Sequence, residues 1–407
     1  MFPFILSPER RTVREAMSLK RHVRVAMVAY ANYFNDARIK NYVDALLDDG
    51  AEVDVLALGR VVDVYKKERF FFKCLGSKYP GSNPLTYVYE QLRFMAKAFW
   101  YLFVRSLNRP YDVIHVHNMP NIIALTGFPF KLAGTRVILD IHDTMPEAMA
   151  TTLELSLDNP LIKLLVKEEL LSAAVADKVI ATNTMHKDVL VGHGISSKKI
   201  LEILNVGNEK FFKPITHHSP EHEFWLGYHG TIAKRLGLLL IVEALSLLKK
   251  ECPGLKFLCI GGGYDLPAMK TLAGTRGITK MIEWKPFVEV ERLPDALSKV
   301  QVGIIGNLRE TENKNNYMLP VKVLEYAAME IPSVVPRLKI LERYFDETAA
   351  FFYDADDAND LANTIRSLFF DRKLITTRID GLRRFNEEYN WSTMAKRYLK
   401  MIEMLIA

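Results

Sequence analysis

Short, almost uncharged apolar runs recur along this chain, each followed by a stretch of helical period, and that alternation is the strongest constraint on its fold. RVAMVAY (24–30) is near-continuously apolar, as a strand buried on both faces must be. Residues 36–49 place Ile39, Tyr42, Val43, Leu46 and Leu47 on one side of a helix, Gly50 ends it, and VDVLALG (53–59) returns as a second strand. Strand–helix–strand of this kind builds a parallel sheet with right-handed crossovers. After a break at 60–109, a basic, aromatic insertion followed by a long helix containing RFMAKAFWYLFVRSL, the rhythm resumes with DVIHVHN (112–118), a helix over 121–133 and RVILDIHD (136–143). A helix over 161–176, KVIATN (178–183), a short helix and KILEILN (199–205) complete six strands.

A polar, turn-rich stretch, NVGNEKFFKPITHHSPEHE, then acts as a linker, and a second series begins. FWLGYHG (224–230), KFLCIGGG (256–263), KMIEWKPF (280–287), VGIIG (302–306), SVVP (333–336) and AAFFYDA (349–355) read as its strands. Helices over 236–251, 265–276, 357–371 and 375–388 lie between and after them, and 391–406 is a final amphipathic helix. The expected fold is α/β, with two Rossmann-like, doubly wound parallel-sheet domains. Residues 1–212 form the first, 213–388 the second, and 389–407 a helix returning to the first. Ligands of such folds bind outside the carboxyl ends of the strands, so a cleft between the two domains is expected.

Length and charge narrow the function. With 407 residues there is room for two cores. A net charge of +6 suits phosphate ligands or an anionic membrane surface, but no basic block or zinc spacing supports nucleic acid. Cys74, Cys252 and Cys259 form no disulfide framework, which fits a reducing compartment. The opening apolar patch is too short for a signal core, and the best apolar run, LGLLLIVEALSLL, is broken by Glu243. The expected location is the cytoplasm, with the cytoplasmic face of the inner membrane as an option.

The stretch YMLPVKVLEYAAMEIPSVV (317–335) carries the most chemistry. Val321, Leu324 and Ala328 recur at helical spacing, and Pro320 stands where a first helical residue should. Lys322 puts a cation in the first turn, against the helix dipole unless an anion binds there. Glu325, three residues on, faces the same way and can accept from two neighbouring hydroxyls. Phosphate at the helix start and a diol one turn along outline a nucleotide sugar; a plain surface Lys–Glu pair is the alternative. Arg235, in a loop between a strand and a helix, is a second phosphate candidate. Gly230 and Thr231 let backbone N–H groups approach.

Several stretches together resemble the large retaining family 4 of GT-B-fold glycosyltransferases over residues 22–405. They are NDARIKNYVDALLDDGAEVDVLAL, DIHDTMPE (140–147), NVGNEKFFKP (205–214), YHGTIAKRLGL (228–238), CIGGG (259–263) and LPVKVLEYAAMEIPSVV (319–335). The resemblance implies a nucleotide diphosphate sugar in the C-terminal half and an acceptor in the N-terminal half. Donor contacts fall to Gly230, Thr231, Arg235, Phe287, Leu319, Pro320, Lys322 and Glu325, with Arg235 and Lys322 on the diphosphate. Glu325 matches the second glutamate of the family's E-x7-E motif. Tyr317 occupies the place of the first, and Glu310 and Glu312 are the candidates to substitute for it.

His142 matches a histidine near the transferred sugar and makes the third catalytic candidate. Asp36, Asn118, Asp143 and Glu147 are acceptor candidates, with helix capping as the alternative for Asp36 and Asp143. The family's reaction proceeds with retention on one face, and no cofactor or metal is required. His115 and His117 are read as facing opposite sides of their strand with no third ligand in view. The 60–109 insertion interleaves Phe70, Phe71, Phe72, Phe94, Phe99, Trp100, Tyr101 and Phe103 with Lys66, Lys67, Arg69, Lys73, Arg93, Lys97 and Arg105. It suits peripheral membrane contact with a lipid-linked acceptor, or a core-facing helix with snorkelling cations. The reading is a hexosyltransferase of surface polysaccharide or glycolipid synthesis. A nucleotide-sugar epimerase and an inactive GT-B partner subunit are the rivals.

Overall fold

The computed structural model describes residues 22–59, 64–79, 81, 83–215, 220, 222–309 and 317–407. The chain divides into two compact units. The first runs to Ile203 and includes Ala395–Ala407; the second is Leu204–Met394.

The first unit holds an eight-stranded sheet. Its strands are β1 (Arg24–Asn32), β2 (Glu52–Leu58), β3 (Val64–Lys67), β4 (Phe70–Cys74), β5 (Val113–His117), β6 (Arg136–Ile141), β7 (Lys178–Ala181) and β8 (Ile200–Glu202). The order is β3-β4-β2-β1-β5-β6-β7-β8. All neighbours are parallel except β3 and β4. The six expected strands are present. The two extra ones come from the segment read as an irregular insertion. Lys67 hands over to a turn at Glu68, the chain doubles back, and β4 lies along β2 from Val53↔Phe70 to Ala57↔Cys74. Phe72 is buried there, so it is a sheet residue and offers nothing to a membrane.

Asn83 caps the long helix Pro84–Ser106 by accepting from the N–H groups of Leu85 and Thr86. Phe94, Ala98 and Leu102, four residues apart, are its buried face. The helix expected over 121–133 is instead a 3-10 stretch, Asn121–Gly127, followed by Phe128–Leu132. Pro129 explains the break, because its ring leaves no N–H for a continuous ladder. The helix that the capping alternative for Asp143 implied runs over Met145–Thr152 and takes Glu147 out of the loop to which it was assigned.

The second unit is a six-stranded, wholly parallel sheet in the order β11-β10-β9-β12-β13-β14. Its strands are β9 (Phe224–Thr231), β10 (Leu255–Gly262), β11 (Ile282–Lys285), β12 (Val302–Ile304), β13 (Ser333–Pro336) and β14 (Ala350–Tyr353). β9 is central, and the helix Val321–Ala328 leads into β13. Gly303 permits a close approach here, because a Cβ on it would lie 2.5 Å from the Tyr326 ring. The Tyr326 hydroxyl then donates to the Gly227 carbonyl at 2.8 Å, tying the helix to the strand that carries the site. No helix among the described residues is long and apolar enough to cross a membrane.

Candidate active site

The donor candidates of the second unit gather where its strands end. Gly230, at the end of β9, has φ +113°, which an L side chain rarely adopts, and a Cβ there would touch the Lys322 side chain at 3.7 Å. Pro320 is the N-cap of the Val321–Ala328 helix and not its first residue; lacking a side-chain acceptor, it leaves the first N–H groups uncapped from that position. Lys322 Nζ lies 4.9 Å above the Tyr228 ring. Arg235, on a 3-10 turn, accepts at its carbonyl from Leu308 N–H and acts on Lys322 as a like charge. Phe287 lies over Gly262 and is 64% exposed. Leu319 is half-buried, Pro320 buried and Thr231 exposed.

Burial pulls the Lys322 ammonium down to about 8, with Glu325 opposing and Arg235 reinforcing the shift. Burial likewise pushes the Glu325 carboxyl up to about 7 against the pull of Lys322. Both side chains are half-buried, which sets this pair apart from a fully solvated one. Tyr317, in place of a glutamate, is buried. Glu310 and Glu312 lie outside the described residues. Sequence reasoning missed His229: its Nε2 is 3.5 Å from Glu325 Oε2, and its only sequence signal is its place beside Gly230.

The N-terminal candidates are built around Asp140, which sequence reasoning also missed. Asp140 is buried on β6 opposite His117 of β5. Its Oδ2 lies 3.7 Å from His115 Nε2 and 3.5 Å from His117 Nδ1, and its Oδ1 3.5 Å from His142 Nδ1. His142 Nε2 meets His117 Nδ1 at 3.2 Å, so both nitrogens of His142 face this network. Burial, then Arg38, hold His142 down to about 3, which makes it a neutral imidazole. His115 Nδ1 meets the Tyr398 hydroxyl at 2.9 Å.

His115 and His117 do not face opposite sides: residues two apart on a strand share a face, and their rings stack at 4.2 Å. Asp140 supplies the third metal-type ligand, and the three candidate ligand atoms lie within 4.8 Å of one another. The ring planes, however, are only 27° apart. Imidazole lone pairs lie in the ring plane, so two stacked rings cannot both aim at an ion about 2 Å away. A ring must turn before this set holds a metal.

The acceptor candidates have other occupations. Asp36 caps the helix Ala37–Asp48, accepting from the N–H groups of Arg38 and Ile39. Burial raises its carboxyl, but Arg38 and His142 outweigh that and hold it below the usual range. Asn118 donates to the Asn121 side chain and the Asp143 carbonyl and accepts from His142 N–H, which joins the ends of β5 and β6. Asp143 is half-buried, and no side chain caps the helix that follows it. Glu147 is buried and bonds His193 Nε2 at 2.9 Å, away from the Asp140 cluster. Of the four, Asp36 is the one that acts electrostatically on His142.

Residues 37–206 match the family model Glycosyltransferase Family 4, and residues 223–371 match Glycosyl transferases group 1. No curated protein gives a significant match. Among solved structures, sucrose-phosphate synthase from Thermosynechococcus elongatus is similar at TM-score 0.73 and 16% identity, covering 94% of this chain and 99% of that one. HepE of Anabaena in complex with UDP-glucose is similar at TM-score 0.67 and 12% identity, covering 94% and 100%. A UDP-forming α,α-trehalose-phosphate synthase from Burkholderia xenovorans is similar at TM-score 0.67 and 14% identity, covering 95% and 100%. At these identities the structures speak for the fold and the family models for the activity: the chain is a glycosyltransferase of the GT-B type.

Proposed function

We propose that the chain transfers a hexosyl group from a nucleotide diphosphate sugar to a saccharide acceptor, with retention, in the synthesis of a surface polysaccharide or glycolipid. The observation that carries this reading is the pair Lys322 and Glu325 at the start of one helix, with Arg235 near Lys322. Lys322 and Arg235 hold the diphosphate, and Glu325 takes the ribose hydroxyls. The acceptor O–H attacks the anomeric carbon on the face that the diphosphate leaves. The C–O bond to phosphate breaks as the C–O bond to the acceptor forms, and the proton passes to the departing phosphate oxygen. Lys322 and Arg235 stabilise charge that grows on that oxygen. By the resemblance, His142, with Asp36 beside it, falls near the transferred sugar and Asp143 is an acceptor group, with Asn118 bonded to the Asp143 carbonyl. No metal has a part in this scheme.

The acceptor is lipid-linked in this reading, and the protein works at the cytoplasmic face of the inner membrane. Support comes from the outer face of the Pro84–Ser106 helix. Leu85, Tyr89, Leu92, Trp100 and Phe103 are all exposed and follow three- to four-residue steps once Ala96 is counted. Arg105 is not part of such a surface, because Asp54 holds it.

A thermal-shift screen of UDP-, GDP-, ADP- and dTDP-sugars against wild type and Lys322→Ala tests the donor site. Ligand at about 100 times its dissociation constant stabilises by roughly 2.7 kcal/mol. One nucleotide class, with UDP first in line because HepE was crystallised with UDP-glucose, should stabilise wild type and not the variant. No shift with any of the four, acceptor included, would favour an inactive partner subunit.

A further inference from the structure

His229 is buried on β9, at 5% exposure, one residue before Gly230. The edge of its ring meets Tyr326 at 4.9 Å and 76°, and Tyr326 is itself fixed by its bond to the Gly227 carbonyl. The ring therefore packs against a side chain that is itself tied to β9, the strand that carries His229. Its Nε2 is buried without a hydrogen-bond partner and lies 3.5 Å from Glu325 Oε2. An orphaned buried nitrogen is costly, and this one is aimed at the carboxylate assigned to the ribose. Burial and the neighbouring Lys322 hold the imidazole down to about 3, so the ring is neutral and carries one N–H.

We propose that His229 is a positioning residue for the ribose-binding carboxylate: Nε2–H donates to Glu325 Oε2, which fixes the carboxylate plane and leaves Oε1 to accept from the ribose diol. The 3.5 Å separation closes to a full hydrogen bond when the nucleotide orders the site, as ligand-free active sites commonly do. The proposal rests on the reading of Glu325 as the ribose group. It extends that reading to specificity, because a carboxylate locked in one plane discriminates ribose from a sugar without the diol more sharply than a free one.

The test compares binding of UDP and 2′,3′-dideoxy-UDP, by calorimetry, to wild type, His229→Phe, His229→Gln and Glu325→Gln. Wild type should prefer UDP. His229→Phe should lose about tenfold or more of its UDP affinity and none of its affinity for the dideoxy compound. His229→Gln, which restores an N–H donor, should recover most of the preference. Equal weakening of both ligands in His229→Phe, or no recovery in His229→Gln, would reduce His229 to a core residue and overturn the proposal. The reading beneath it fails separately: Glu325→Gln would then keep the full preference for UDP.

Discussion

His193 shows how much a single side chain can carry outside the reaction. Its Nε2 meets Glu147 Oε1 at 2.9 Å and its Nδ1 meets Glu169 Oε1 at 2.6 Å, which links three helices. Burial works against its charge, but the two carboxylates outweigh it and raise the imidazolium to about 10. A histidine raised in the folded state stabilises fully below its unfolded value near 6.5 and loses that contribution as pH rises towards 10. Stability from urea unfolding should therefore fall between about pH 7 and 10, by on the order of 3 kcal/mol. His193→Gln should flatten that slope; an unchanged slope would dismiss the lock. Lys322 could be singled out in the sequence because a cation in a first helical turn is a local anomaly, Glu325 by its spacing from Lys322, and Arg235 by its loop after a strand. Asp140, His193 and His229 could not, because their partners lie on other elements.

The β3–β4 hairpin is the element least legible in the sequence, whereas the long helix expected after it is present as Pro84–Ser106. Aromatics and cations alternate in the hairpin without a clean period, and β4 is chosen by its pairing with β2 on one side and β3 on the other. Asp54 of β2 fastens the helix. It is buried and accepts from Arg105 Nε at 2.7 Å, from Arg24 Nη2 at 2.8 Å and from the Tyr111 hydroxyl. The Arg105 guanidinium also stacks 3.9 Å above the Phe71 ring of β4. Asp54→Asn takes the counter-charge from Arg105 and leaves Arg24 with Glu52, 3.3 Å away, as its remaining ion-pair partner. It should cost about 3–5 kcal/mol in denaturant unfolding. A cost below about 1 kcal/mol would place the fastening in the apolar face, Phe94, Ala98 and Leu102, instead.

For the whole molecule the decisive question is what its surfaces meet. The apolar stripe of the Pro84–Ser106 helix runs from Leu85 to Phe103, about 27 Å, and Lys66 and Lys67 of β3 are exposed nearby in the chain. Co-flotation with phosphatidylglycerol vesicles should exceed that with phosphatidylcholine and weaken in high salt. Leu92→Ser with Trp100→Ser should cut the bound fraction roughly tenfold. Equal flotation of the variant would assign the stripe another role. The architecture itself was written in the sequence: buried parallel strands need continuous apolar runs and their crossovers need helical period, and both patterns are local. The same holds for Lys322 and Glu325, the proposed phosphate and ribose groups, which one helical turn brings to the same helix start. Only the tertiary structure decided that β3 and β4 join the sheet, that Asn118 and Glu147 are committed to internal bonds, and that His115 and His117 stack around Asp140. Those outcomes depend on which distant residues burial brings within about 4 Å, and no spacing along a chain encodes that distance.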